Sequence, residues 1–186
     1  MKKVSTDSQD ASNSKTALLI VDVQNGVLGK EGETYQGEKL LTNLEHLIEK
    51  ARKAEAPVIY VQHNEPGQLD PNTFKWQIHE RLAPKEDELK IQKHHPSSFH
   101  DTTLLDELRG LGVNKLVIGG LQTEWCIDAT IRHAFSLGFD VTVVEDGHST
   151  MGTSTLPAEK VVEHHNRIFK GGFASLRKAA DIDFNQ

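Results

Sequence analysis

The chain has 186 residues, 37% hydrophobic and 26% charged, with a net charge of -6 and a single cysteine, Cys126. That length and composition suit one soluble globular domain with room for a real core. They argue against nucleic-acid binding, since no basic stripe or Lys/Arg-rich run with interleaved aromatics is present, and against a membrane span, since no apolar stretch approaches the required length.

Residues 1–14 open with Lys2 and Lys3 and continue with polar residues, without the apolar segment of a signal peptide. They read as a disordered lead-in to a single domain over 15–186. One cysteine forms no internal disulfide, so a reducing, cytoplasmic setting is expected.

The first element is TALLIVDV, Thr16 to Val23, a continuous β-branched and aliphatic run that ends in an acid. Apolar residues in both phases of the pleat predict a strand buried on both faces. Leu40, Leu41, Leu44, Leu47, Ile48 and Ala51 then recur at helical spacing. Pro57 to His63 is a second strand, with proline at its first position, where the missing N–H is harmless. A polar excursion from Asn64 to about Lys90 carries Pro66, Gly67, Pro71 and Pro84.

KIQK follows as a short strand, and TTLLDELRGLG as a helix closed by glycine, with Asp101 or Thr102 as its cap. KLVIGGL is a strand, TEWCIDATIRHAFSLG a helix, DVTVVED a strand, and LPAEKVVEHHNRIFKGG a helix ending at Gly171. FASL is a last short strand. Six strands alternating with helices predict a three-layer α/β/α sandwich around a mainly parallel, Rossmann-like sheet.

In such sheets ligands sit beyond the carboxyl ends of the strands. Three residues with useful chemistry occupy those ends. Cys126 follows LVIGGL, and with Thr123 as N-cap it falls in the first helical turn, where the dipole and free N–H groups favour a thiolate and can hold an oxyanion. The plainer alternative is a small buried hydrophobe. Asp22, at the end of an apolar run, is partly withdrawn from water, an environment that suits a general base; alternatively it caps the QNG turn that follows. Lys93 has a surface lysine as its alternative.

The ten histidines show no HExxH and no Cys/His ligand spacing, so no metal is expected. Gly147 to Met151 starts like a G-x-S-x-G elbow but has methionine in the last position. Gly119–Gly120 is not a dinucleotide fingerprint.

Taken in order, ALLIVDVQNG, WQIHERLAPKEDELKIQKHHPSSFHDTTL and GGLQTEWCIDATIRHAFSLGFDVTVVEDG resemble the three signature segments of the isochorismatase-like cysteine hydrolases. The resemblance covers nearly the whole chain after the lead-in. It implies a triad of Asp22, Lys93 and Cys126, and a cis Leu121–Gln122 bond that turns the Gln122 N–H toward the site, so that Gln122 and Cys126 N–H groups form an oxyanion hole. It further implies a small-molecule substrate, no cofactor, and a homo-oligomer, a dimer or larger.

Within that superfamily, nicotinamidases carry a metal-binding D-x-H after the second strand. His63 and Asp70 are present here without that spacing, so nicotinamidase activity and a metal are not expected. A retained cysteine favours acyl transfer from an amide-type C–N bond, with an isochorismatase-type vinyl ether or a streptothricin-type lactam as alternatives. Phe74, Trp76 and His79 are candidates to line the site from the excursion, or else pack locally or lie at the surface. Glu124 and Trp125 flank the nucleophile; the alternatives are a first-turn acid and a subunit contact.

Overall fold

The computed structural model describes residues 14–185, so the lead-in expected over 1–14 lies, apart from its last residue, outside the described residues. The six strands are β1 (Lys15–Val21), β2 (Val58–His63), β3 (Leu89–Lys93), β4 (Val113–Leu121), β5 (Asp140–Ser149) and β6 (Ser175–Arg177). They form one sheet in the order β3-β2-β1-β4-β5-β6. Every neighbouring pair is parallel. The helices are α1 (Asn25–Leu28), α2 (Gly37–Lys53), α3 (Leu104–Gly110), α4 (Asp128–Ser136) and α5 (Ala158–Gly172). Among the described residues, no helix is long and apolar enough to cross a membrane.

The pleat explains the two layers. Ala17, Leu19 and Val21 of β1 point one way, into a core completed by Leu104 and Leu108 of α3, Ile131 and Ala134 of α4, and Phe169 of α5. Leu18 and Ile20 point the other way, onto Leu40, Leu41, Leu44, Leu47, Ile48 and Ala51 of α2 and onto the C-terminal Ile182 and Phe184. An unbroken apolar run in β1 is what a strand covered on both faces requires. Each leucine fully buried this way contributes about 1.5–3 kcal/mol.

Strand order runs away from β1 in one direction through β2 and β3 and in the other through β4 to β6. The loops leaving β1 and β4 therefore diverge, and a crevice opens between their carboxyl ends. The two strands meet closely there. Gly120 pairs with Val21 and has φ 134°. A Cβ at Gly120 would run into the Val21 carbonyl oxygen.

Two caps differ from the sequence reading. Thr103 occupies the N-cap position of α3, although the Thr102 hydroxyl does accept the Leu104 N–H at 3.3 Å. Thr123 does not cap the helical segment that carries Cys126. That position is held by Gln122, and the chain makes a wide π turn over Thr123–Ile127 before α4 begins. The Thr123 hydroxyl is instead committed to His148 Nδ1 at 2.9 Å, across to the end of β5.

Candidate active site

Asp22 leaves the end of β1 with φ 51°, and its N–H is held by the Val61 carbonyl at 2.9 Å. Lys93 is the last residue of β3, in phase with the buried Ile91. Both side chains are out of water, 1% exposed for Asp22 and 0% for Lys93, and they form an ion pair with Nζ 2.7 Å from Oδ2. The same ammonium donates to Cys126 Sγ at 3.1 Å and lies 3.1 Å from His63 Nδ1. The ammonium therefore makes two hydrogen bonds, to Cys126 and His63, and one ion pair, to Asp22. Neither carboxylate oxygen of Asp22 has a hydrogen-bond donor among the described residues, so Oδ2 is held by the ion pair alone.

His63 belongs to this cluster, and sequence reasoning treated it only as a metal candidate. It ends β2, and Gln24 grips its backbone: the Gln24 amide accepts the His63 N–H at 2.8 Å and donates to its carbonyl at 3.1 Å. Burial first, and then the Lys93 charge, pulls the His63 pKa below its ordinary value. A neutral imidazole that accepts on Nδ1 carries its proton on Nε2. The available local signal was its place at a strand's carboxyl end.

Cys126 is half-buried in the π turn. Its pKa is pushed up to about 12, by burial first and then by the negative charge of Asp22, with Lys93 pulling the other way. This corrects the expectation that the helix start would give a thiolate. Loss of water and a nearby carboxylate outweigh the local dipole, so the resting site holds a thiol beside an Asp22–Lys93 ion pair.

The peptide bond between Leu121 and Gln122 is cis. The Gln122 carbonyl accepts from the Trp125 and Ile127 N–H groups, on either side of Cys126.

A cavity of about 350 Å³ opens over this cluster. Asp22, His63, Gln122 and Cys126 form its polar floor, Val27, Leu69, Pro96 and Trp125 its apolar wall, and Glu65 stands at its edge. Trp125 lines it and is 61% exposed.

The other sequence candidates lie elsewhere. Phe74, 74% exposed, and His79 border a separate cavity near α1 and α2. His79 Nδ1 receives the Arg81 N–H at 3.4 Å. Trp76 is a structural pin rather than a cavity wall. Its indole N–H reaches Asn64 Oδ1 at 2.6 Å, and its carbonyl takes the amides of Gln24 at 2.8 Å and Gln62 at 3.0 Å. Glu124 turns toward β5 and accepts from Thr150 Oγ1 at 2.8 Å.

Asp22, His63 and Cys126 present donor atoms within 4.8 Å of one another, as do His95, His100 and Asp101 on the surface. In the first group the Lys93 ammonium already fills the position a cation would take.

A buried acid, a lysine and a thiol gather at the switch point of a doubly wound parallel sheet, where such α/β folds bind ligands. Residues 16–178 match the isochorismatase domain. The chain is 37% identical over 172 residues to the uncharacterized isochorismatase family protein YddQ of Bacillus subtilis, covering 87% of this chain and 95% of that one. It is 34% identical over 143 residues to a streptothricin hydrolase of Streptomyces noursei, covering 76% of this chain and 57% of that protein. A crystal structure of an isochorismatase family protein superposes with a TM-score of 0.85 at 32% identity, covering 90% of this chain and 100% of that one. The chain belongs to the isochorismatase family and is a hydrolase of that family.

Proposed function

We propose that this hydrolase cleaves a small amide-type C–N bond without a metal, through a thioester on Cys126. The observation that carries the reading is the Lys93 ammonium, 2.7 Å from Asp22 Oδ2 and 3.1 Å from Cys126 Sγ, buried beneath a cavity of small-molecule size.

Asp22 takes the proton of the Cys126 thiol as sulfur attacks the carbonyl carbon. The tetrahedral oxyanion is held by the Gln122 and Cys126 N–H groups. Asp22 then passes its proton to the departing nitrogen, and the C–N bond breaks to leave a thioester. A water molecule, losing its proton to Asp22, attacks the thioester, and the thiol leaves with that proton restored. Lys93 balances the changing charge on Asp22 and sulfur throughout. This is covalent catalysis with an adjacent general base.

The 34% identity to a streptothricin hydrolase favours a lactam as a second form of the same chemistry. The reading also takes the assembly to be a homo-oligomer and the setting to be a reducing cytoplasm, which keeps a lone thiol reduced.

The test is a substrate panel of primary amides, carbamoyl-amides, a streptothricin-type lactam and isochorismate, run with a chelator on wild type, Cys126→Ala and Asp22→Asn. Amine or ammonia release by wild type, unchanged by chelator and lower by roughly a thousandfold or more in both folded variants, is the expected result. Normal turnover in either variant, or cleavage of isochorismate alone, overturns the reading.

A further inference from the structure

The charges around the cavity are unevenly matched. A substrate bearing a carboxylate needs a cation or a free set of donors to receive it. Lys93 cannot serve, because it is fully buried and outside the cavity lining, its ammonium is held by His63 Nδ1 and Cys126 Sγ, and the ion pair with Asp22 cancels its charge. His63 is neutral, held so by burial and by Lys93. Among the described residues, no arginine and no lysine lines the cavity.

Among the described residues, the one lining charge left without a counter-ion is Glu65. Its backbone is fixed at the edge: its N–H donates to the Leu69 carbonyl at 3.3 Å and its carbonyl accepts the Leu69 N–H at 2.7 Å. Its Oε1 takes only a neutral donor, Gln68 Nε2, at 3.1 Å. The chain's net charge of -6 adds a field of the same sign at longer range.

We propose that the cavity selects amides carrying a positive charge near the scissile carbonyl and disfavours carboxylates, with Glu65 as the residue that sets this preference. The proposal rests on the cysteine-hydrolase reading for its chemistry but not for its electrostatics. One uncompensated carboxylate several ångströms from a ligand charge, in a partly open site, changes affinity by roughly fivefold in each direction. Between a cationic and an anionic ligand the ratio is then roughly 25-fold.

Cys126 reports this without a known substrate. Its labelling rate is measured with three methanethiosulfonates, the ethylammonium, methyl and ethylsulfonate reagents, each normalised to its rate with β-mercaptoethanol. The expected order is ammonium, then methyl, then sulfonate, with a ratio between the charged reagents of roughly 25-fold that shrinks as ionic strength rises. Glu65→Gln should cut that ratio by roughly 25-fold, to near one, and Glu65→Lys reverse the order, while Glu49→Gln, on α2, keeps the wild-type ratio. A sulfonate rate equal to or above the ammonium rate, or a ratio untouched by Glu65→Gln, overturns the proposal. Amide turnover on the same preparations, with Cys126→Ala as the blank, separates the two ideas: charge selection without cysteine-dependent turnover sinks the hydrolase chemistry alone.

Discussion

Lys93 and Cys126 are 33 residues apart in sequence, yet Nζ donates to Sγ at 3.1 Å. The contact does not make a thiolate. Burial and the Asp22 carboxylate push the Cys126 pKa up to about 12 despite the ammonium. The lysine is shared with Asp22 and His63, so the proton on sulfur moves only when a base takes it. Among the described residues neither Asp22 oxygen has a hydrogen-bond donor.

That arrangement separates ionisation from turnover. Removing the carboxylate charge with Asp22→Asn takes away an influence that raises the thiol pKa. Alkylation of Cys126 near neutral pH should therefore become faster in Asp22→Asn, by about tenfold for each pH unit the pKa falls, while turnover disappears. Lys93→Met should do the reverse and slow alkylation further. The pH profile of iodoacetamide labelling checks both; slower labelling in Asp22→Asn would show that the carboxylate does not oppose the thiolate.

Gly120 leaves no room for a side chain against Val21 of β1. Gly120→Ala forces a methyl group against the Val21 carbonyl at a residue with φ 134°. The expected cost is about 3 kcal/mol or more. Gly138 also has positive φ, 88°, but a Cβ there meets nothing within 4 Å, so Gly138→Ala should cost only about 1 kcal/mol. Urea unfolding of the two variants compares crowding with conformational strain, and equal losses would remove the argument from close approach.

Much of the fold was legible because the apolar runs in β1, β2, β4 and β5 are buried on both sheet faces and show it locally. Lys93 was half-legible: it shares the inward phase of Ile91, and only its charge argued for the surface. What the sequence hid was non-local. His63 ends the second strand, and that place alone does not mark a role; the cluster forms only when β2, β1, β3 and the π turn meet. The thiol's ionisation was misread because helix-start reasoning sees the dipole and not the carboxylate across the crevice. Of the two alternatives for Trp76, local packing holds: Asn64, at the start of the loop, and Gln24 and Gln62, outside it, hold the residue.

Trp76 therefore offers a stability test. Trp76→Phe keeps most of the ring but removes the donor to Asn64 Oδ1, leaving that acceptor of a buried residue without its bond. The expected loss is about 1–3 kcal/mol, with little change in substrate KM because the side chain does not line the cavity. A large rise in KM at unchanged stability would return Trp76 to the site.

His148 gives the fold a pH dependence of definite sign. It is buried at the end of β5, its Nδ1 2.9 Å from Thr123 Oγ1 and its Nε2 2.9 Å from Asn166 Oδ1. Burial pushes its pKa down to about 4. In the unfolded chain the imidazole takes its proton near pH 6.5. Between those values the unfolded state binds more protons than the folded one, so stability is full above about pH 6.5 and falls with pH until about pH 4. The expected loss is about 3 kcal/mol from this residue, and His63, lowered by burial and Lys93, adds to it with the same sign. His148→Gln retains an acceptor for Thr123 and a donor for Asn166 but does not titrate. Urea unfolding across this pH range should give a shallower slope for the variant than for wild type, whatever its stability at neutral pH, and identical slopes would mean that His148 is not the group whose burial the fold must sustain.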